Sequence, residues 1–377
     1  MKAPEAEQIP EPDRVEGAPH PRETLRLIGH PEAEAAFLDA FNSDRLHHGW
    51  MITGPQGVGK ATFAWAIARF LLSQPADDGG GLFGAPPPAT SLAVDPEHPV
   101  ARRIAALSEP GLFLLRRGWN DKTGKLRAQI TVDEVRKLHG FFSLSAVDGG
   151  RRVVIVDSAD EMNTQAANAL LKMLEEPPAR TTILLISHQP SRLLPTIRSR
   201  CRELRLRPLD AGTMAQALEQ AGADVAENTD ALAALSGGSV GGAMRLLQLD
   251  GLPMYRQLVE LMGTMPQMDQ HRAIKLAEGL GAKNAEAKLE LFGTLLDLAF
   301  ARLARHGALG PSQVAAAELE PKAFDRLAPD AYSARKWADT AQETLARFRH
   351  GRAVNLDPAA LILDTLFHMN RTAAGAQ

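Results

Sequence analysis

The run Gly54-Pro55-Gln56-Gly57-Val58-Gly59-Lys60 constrains this chain more than any other feature. A short apolar stretch containing Met51-Ile52 precedes it, and residues Ala61 to Leu72, with helical composition, follow it. The spacing G-x-x-x-x-G-K therefore stands in the strand–loop–helix context that gives it meaning. Glycines at 54, 57 and 59 let the backbone take left-handed conformations and approach an anion closely. The loop amides and the helix N-terminus then face that anion, and Lys60 reaches its outer phosphates. The motif predicts a nucleotide-binding loop in a parallel α/β fold, with Gly54, Gly57, Gly59, Lys60 and Thr62 as its binding residues.

One position departs from the pattern. The residue after the lysine, where a hydroxyl would hold Mg²⁺, is Ala61. Thr62 lies about 100° further round the helix and does not simply replace it. Phosphate cradling survives this change, while metal positioning is impaired. A second acidic motif follows at Val153-Val154-Ile155-Val156-Asp157. It reads as a buried strand whose terminal Asp157 is placed to bind Mg²⁺, directly or through water. Ser158 comes next, and a serine offers no basic group of useful pKa for activating water. Asp160 and Glu161 are near but at the wrong offset, and they read as helix-start acids.

Two further apolar runs, Leu112–Leu115 and Thr181–Ser187, have the continuous character of strands covered on both faces. Residues 21–207 thus read as a parallel sheet flanked by helices. Asp77-Asp78-Gly79-Gly80-Gly81 and Pro86-Pro87-Pro88 mark an insertion over 73–111 with little structure of its own. After Pro208 the sequence turns Ala- and Leu-rich with helical periodicity, and turn-like clusters divide it into a small module over 208–252 and a larger helical domain over 253–377. Residues 1–20 carry Glu5, Glu7, Glu11, Asp13 and Glu16 with few large apolar side chains, and they read as a disordered tail.

Composition narrows the function classes. A net charge of −3 argues against a wholly basic DNA-coating protein. Aromatic residues make up only 5% of the chain, too few for a base-stacking platform. There is no apolar leader at the N-terminus and no run long enough to span a bilayer, so a cytoplasmic protein without a membrane partner is expected. The single cysteine, Cys201, excludes an intramolecular disulfide or a multi-cysteine zinc site.

Several blocks carry a specific resemblance. Asn168-Ala169-Leu170-Leu171-Lys172-Met173-Leu174-Glu175-Glu176-Pro177-Pro178, then Ser199-Arg200-Cys201, resemble the bacterial clamp-loader branch of the AAA+ family. Arg45-Leu46-His47-His48-Gly49-Trp50 and Asn355-Leu356-Asp357-Pro358-Ala359-Ala360-Leu361 fit the same branch, so the likeness spans about residues 21–370. It implies an AAA+ domain, a helical lid over 208–252 and a C-terminal collar that joins subunits. Motor subunits of this branch carry an intact phosphate loop and Asp-Glu at the second motif. This chain carries neither, and is more similar to the stationary, largely non-hydrolytic kind.

The same resemblance gives residues their roles. The arginine of Ser-Arg-Cys projects toward ATP held by a neighbouring subunit, which makes Arg200 a trans-acting arginine finger that stabilises γ-phosphate charge. The polar residue ending the strand before Pro190, which senses nucleotide in the family, falls on Ser187 or His188. The lid arginine of Gly-Ser-x-Arg is replaced by Gly241, with Arg245 one turn on. Three elements for hydrolysis are thus degraded, which argues against ATP turnover but not against binding of ATP with Mg²⁺. Many relatives insert a four-cysteine zinc module after the phosphate-loop helix. This chain has no cysteine there, and His30, His47, His48 and His98 lack zinc-ligand spacing, so no zinc is expected.

The implied partners are the motor (gamma/tau) and delta subunits in a hetero-oligomer, with the sliding clamp engaged indirectly. Arg192, Arg198, Arg200, Arg202, Arg205 and Arg207 form a basic cluster. No base-reading motif accompanies it, so contact with primer–template DNA would be sequence-independent. The expected function is assistance in ATP-dependent loading of the clamp onto primed DNA, as part of a DNA polymerase holoenzyme. The alternative is an ATP-hydrolysing motor subunit rescued by Thr62 and a displaced acid; an unrelated P-loop enzyme such as a small-molecule kinase would leave the Leu-Leu-Lys-x-Leu-Glu-Glu-Pro-Pro and Ser-Arg-Cys blocks as coincidence.

Overall fold

A computed structural model describes residues 11–75, 87–120, 122–143, 150–224, 228–282, 285–311 and 314–375. The chain divides into two compact units. The first comprises residues up to Leu209 together with Glu219–Ala223 and Ser239–Gly241, and the second holds Asp210–Leu218, Asp224–Gly238 and Gly242 onward.

The first unit contains α1 (Pro31–Asn42), β1 (Gly49–Thr53), α2 (Lys60–Ser73), α3 (Pro99–Ala105), β2 (Leu112–Arg116), a hairpin of β3 (Trp119–Asn120) and β4 (Lys125–Leu126), α4 (Val132–Ser143), β5 (Arg152–Asp157), α5 (Thr164–Glu175), β6 (Thr181–Ser187), α6 (Pro195–Arg198) and β7 (Arg202–Arg205). The main sheet has the order β2-β5-β6-β1-β7, and all its neighbours run parallel. Parallel strands need crossovers, and helices supply them on both faces. The continuous apolar composition of β1, β5 and β6 follows from that double cover: nearly every residue in them is buried.

Helix α2 sits deepest. Phe63, Ala64, Trp65, Ile67, Ala68 and Leu71 are all fully buried. A helix apolar around most of its circumference has to be enclosed on all sides. The sheet covers one side, with Ile52, Val153, Ile155, Leu184 and Ile186 in the same core cluster, while Phe37 of α1 and Ile104 of α3 join it as well. The other sheet face is filled by Val135 and Leu138 of α4 and Leu170 and Leu174 of α5.

Two local expectations differ from what is seen, and the basic cluster gains a strand. The stretch 73–111 contains an ordered helix, α3, and Leu92 is buried in the core; Asp77–Gly81 and Pro86 lie outside the described residues. Part of the basic cluster is strand β7, in which only Leu204 is buried and Arg202 and Arg205 are exposed. Residues 11–20, expected to be a disordered tail, run in turns against this unit, with His20 fully buried. Residues 1–10 lie outside the described residues.

The second unit is helical: α7 (Ala211–Gln220, in part), α8 (Thr229–Ser236), α9 (Val240–Gln248, from Gly242), α10 (Gly251–Thr264), α11 (Gln270–Leu280), α12 (Glu286–Leu309), α13 (Glu320–Leu327), α14 (Ala331–Ala353) and α15 (Pro358–Ala374). The long helices α12 and α14 pack through Phe292 against Phe348 and Phe300 against Trp337. The Trp337 indole N–H donates to Leu327 O at 2.7 Å, and Arg302 pairs with the buried Glu320 at 2.6 Å. Such satisfied polar contacts fix the register of an otherwise apolar bundle. Among the described residues no helix is long and apolar enough to cross a membrane.

Candidate functional site

The phosphate loop leaves the C-terminal end of β1 and enters α2 at Lys60, as the motif requires. Gly54 and Gly57 hold φ of 142° and 77°, in the region that L side chains rarely adopt. Space forbids side chains there as well. A Cβ on Gly54 would stand 2.4 Å from Leu206 O, and one on Gly57 would stand 2.3 Å from Ser239 Oγ. The loop is held from outside by His30, whose Nε2–H donates to Val58 O at 2.8 Å, the carbonyl being able only to accept. Burial lowers the pKa of that imidazole, against the carbonyl contact.

The Lys60 ammonium turns into the loop, donating to Gly54 O at 2.7 Å and to Pro55 O at 2.5 Å. Burial draws it down to about 8, against the attraction of Asp157 and Asp160. Ser239 Oγ donates to Gln56 O at 2.8 Å, and Gly241 N donates to Gly57 O at 3.1 Å. Thr62 is half-buried in the first turn of α2.

Asp157 ends β5 beside β6, which in turn flanks β1. Burial first, and then the carboxylates of Asp13 and Glu161, push its pKa up to about 7, partly opposed by the Ser158 hydroxyl and by Lys60. Ser158 Oγ lies 3.2 Å from Asp157 Oδ1 and 2.9 Å from His188 Nε2. Of the two candidates at the end of β6, His188 is thus the one whose side chain meets the second acidic motif. The two acids at the wrong offset are engaged elsewhere: Asp160 accepts from His188 N at 2.9 Å, and Glu161 pairs with Arg117 at 2.9 Å.

These residues fit a nucleotide's phosphates: the cradle has no room for a Cβ, its lysine is buried in place, and an acid stands at the neighbouring strand end. A divalent ion accompanying a nucleotide there would be held by Asp157 and would supply charge neutralisation at the phosphates. The hydroxyl missing at Ala61 and the serine at 158 leave that ion and any attacking water without two of their usual partners.

Arg200 is elsewhere. It precedes β7 by two residues, and β7 starts opposite Trp50, near the N-terminal end of β1. The phosphate loop leaves the other end of that five-residue strand, ~17 Å away at ~3.3 Å per residue. The Arg200 side chain is 38% exposed, and its guanidinium pairs with Glu175 at 2.9 Å and donates to Thr196 O at 3.1 Å. Its neighbour Cys201 packs toward Gly49, and burial pushes the thiol up to about 12. In the second unit, Arg245 pairs with Glu290 at 3.0 Å on the surface.

The four histidines weighed for zinc have other work. His30 holds the phosphate loop, His47 and His48 stack at 4.3 Å, and His98 accepts from Val100 N at the start of α3. Among the described residues no group of three or more His, Cys, Asp or Glu is placed to hold a metal.

The sequence reading missed two contributors to the site. One is His188 as the partner of Ser158. The other is Asp13, which Arg116 Nη1 contacts at 2.7 Å from the end of β2, directly beside Asp157 in strand register. No local signal marks either pair, because strand register and chain reversal create them.

A glycine-rich phosphate loop on an inner strand of a five-stranded parallel sheet, with an acid ending a nearby strand, defines a nucleotide-binding domain of the P-loop class. The model of the family described as "DNA polymerase III, delta subunit" matches residues 29–210. The DNA polymerase III subunit delta' of Escherichia coli is 31% identical over 77% of this chain and 80% of its own. That of Pseudomonas aeruginosa is 42% identical over 53% of this chain, a match spanning about half the length of that relative, 55%. The DNA polymerase III subunit gamma/tau of Mycobacterium tuberculosis is 29% identical over 58% of this chain and 35% of its own. The chain belongs to the family of DNA polymerase III delta-prime subunits.

Proposed function

We propose that this chain is a stationary, non-hydrolysing subunit that assists ATP-dependent loading of the sliding clamp onto primed DNA during replication, and that it supplies Arg200 to the ATP site of a neighbouring motor subunit. The observation that carries the reading is the placement of Arg200. It is half-exposed, and it lies at the opposite end of β1 from the chain's own phosphate loop. A guanidinium there has no route to its own nucleotide, while its single carboxylate partner is half-exposed and readily exchanged for a phosphate. Three features speak against turnover at the chain's own loop: Ala61, Ser158 held between Asp157 and His188, and glycine at 241. Binding of ATP with Mg²⁺ is consistent with the cradle; hydrolysis of it is not.

The partners in this reading are gamma/tau and delta subunits, assembled through the helical collar over 253–377, with 208–252 as the lid. The clamp is engaged indirectly. Primer–template DNA is met through backbone contacts alone, with Arg198, Arg205 and Arg207 among the residues available. The complex is cytoplasmic. The test is reconstitution of the loader with Arg200→Ala: DNA-stimulated ATP hydrolysis by the motor subunits falls at least tenfold, and an unchanged rate rejects the finger role.

A further inference from the structure

The segment from Glu11 to Thr24 is fastened to the first unit along its length. Arg69, 2% exposed on α2, donates to Arg22 O at 2.9 Å and to Thr24 O at 2.7 Å. Arg22 in turn donates to Ala105 O at 3.1 Å and to Glu11 at 2.6 Å. His20 meets Trp65 edge-on, with ring centroids 6.1 Å apart, and approaches Asp13 Oδ2 to 3.1 Å. Arg116, at the end of β2, holds Asp13 at 2.7 Å and Glu11 at 3.3 Å. This is an anchored strap, built from cations that belong to the sheet and to the phosphate-loop helix.

Its path passes beside Asp157 and beside Gly241, the residue seated on the phosphate loop. Asp13 stands at the β2–β5 edge, close enough to Asp157 to act on its charge. Two residues on, Val15 Cγ2 comes within 3.7 Å of a Cβ built on Gly241, whose amide donates to the phosphate-loop carbonyl of Gly57. Further along, Leu27 Cδ1 is 3.3 Å from a Cβ built on Gly59. Within residues 11–24, Asp13 thus stands beside the end of β5 and Val15 beside Gly241, while Asp157 itself is only 8% exposed. The Asp13 carboxylate has Arg116 on one oxygen at 2.7 Å and His20 Nε2 3.1 Å from the other, which makes it a fastening point.

We propose that residues 11–24 form a built-in cover over the nucleotide-phosphate site, latched by Asp13 and Glu11 on Arg116, and that a nucleotide and its metal enter only when this cover is displaced. The inference rests on the phosphate loop being a nucleotide site and is independent of the role of Arg200. A site whose open form is a minor state shows an affinity reduced by the open fraction. Loosening the latch raises that fraction.

Binding of a fluorescent ADP analogue with Mg²⁺ to the full-length chain tests this, with Glu11→Gln/Asp13→Asn as the unlatched form. The double variant binds about tenfold more tightly than the parent, and adding Lys60→Ala abolishes binding in both backgrounds. Equal affinity, weaker binding by the variant, or no binding by either form overturns the cover. Hydrogen exchange on the unmodified chain gives a second reading that needs no variant to fold. With saturating Mg·ADP, amides in 13–24 exchange faster while those of 54–60 become protected. Protection of the loop with no change in the strap overturns the proposal. None of these outcomes bears on Arg200, which is read from a neighbour's hydrolysis rate.

Discussion

Gly57 is where the site's geometry can be tested by a single methyl group. Two separable costs attend Gly57→Ala. The residue's φ of 77° is disfavoured for any L side chain, by about 1–2 kcal/mol. The new Cβ would also stand 2.3 Å from Ser239 Oγ, which must swing away and give up its hydrogen bond to Gln56 O. A hydrogen bond of that kind contributes about 1 kcal/mol net. Together these give a loss of about 2–3 kcal/mol. At roughly 2–4 °C per kcal/mol for a unit of this size, the melting temperature falls by about 4–12 °C. The assay is a double-mutant cycle with Ser239→Ala, read by thermal or denaturant unfolding. Removing the hydroxyl removes the nearest clash and leaves the backbone part together with the 3.1 Å approach to Gly241, so Gly57→Ala costs about 1 kcal/mol less in the Ser239→Ala background than in the parent. An equal cost in both backgrounds would refute the claim that Ser239 is seated on the phosphate loop.

Further outcomes follow from the titratable groups and the core. The folded pKa of Lys60 is lowered to about 8 from an ordinary 10.5, so the unfolded chain binds more protons between those values and stability rises with pH across that window. The unfolding free energy of Lys60→Met relative to the parent therefore declines from pH 8 to 10.5, and a flat difference would contradict the burial of the ammonium. Cys201, pushed up to about 12, reacts with a thiol reagent at pH 8 far more slowly in the native chain than after denaturation; equal rates would place the thiol outside the core. Trp65→Ala, at a fully buried side chain of α2, destabilises the first unit by about 3–5 kcal/mol in urea unfolding, and a loss under 1 kcal/mol would be inconsistent with its enclosure.

Some of this fold is plain in the sequence, and the reasons are physical. β1, β5 and β6 are covered on both faces, so their composition is continuously apolar and visible without partners. The phosphate loop is equally plain, since each of its glycines answers a local backbone demand. β7 is harder to see because it lies at the sheet edge: only Leu204 of Arg202–Arg205 faces inward, and the arginines dominate the reading. The strap is invisible locally. Glu11 and Asp13 look like a solvated acidic tail until Arg116, 103 residues beyond Asp13, supplies the counter-charge. The pairing of Ser158 with His188 likewise depends on β5 and β6 ending side by side. Non-local register, not composition, decides both cases.

The most direct measurement of the account compares two single variants in a reconstituted loader: Arg200→Ala and Lys60→Ala, each assayed for DNA-stimulated ATP hydrolysis. The Arg200 pair with Glu175 is half-exposed, so its removal alters the chain's own stability by no more than about 1 kcal/mol, and loss of activity cannot be laid to unfolding. A fall of at least tenfold is expected with Arg200→Ala, and a rate near that of the parent with Lys60→Ala. The reverse pattern, hydrolysis lost with Lys60→Ala and retained with Arg200→Ala, would make this chain a motor in its own right and contradict the central claim.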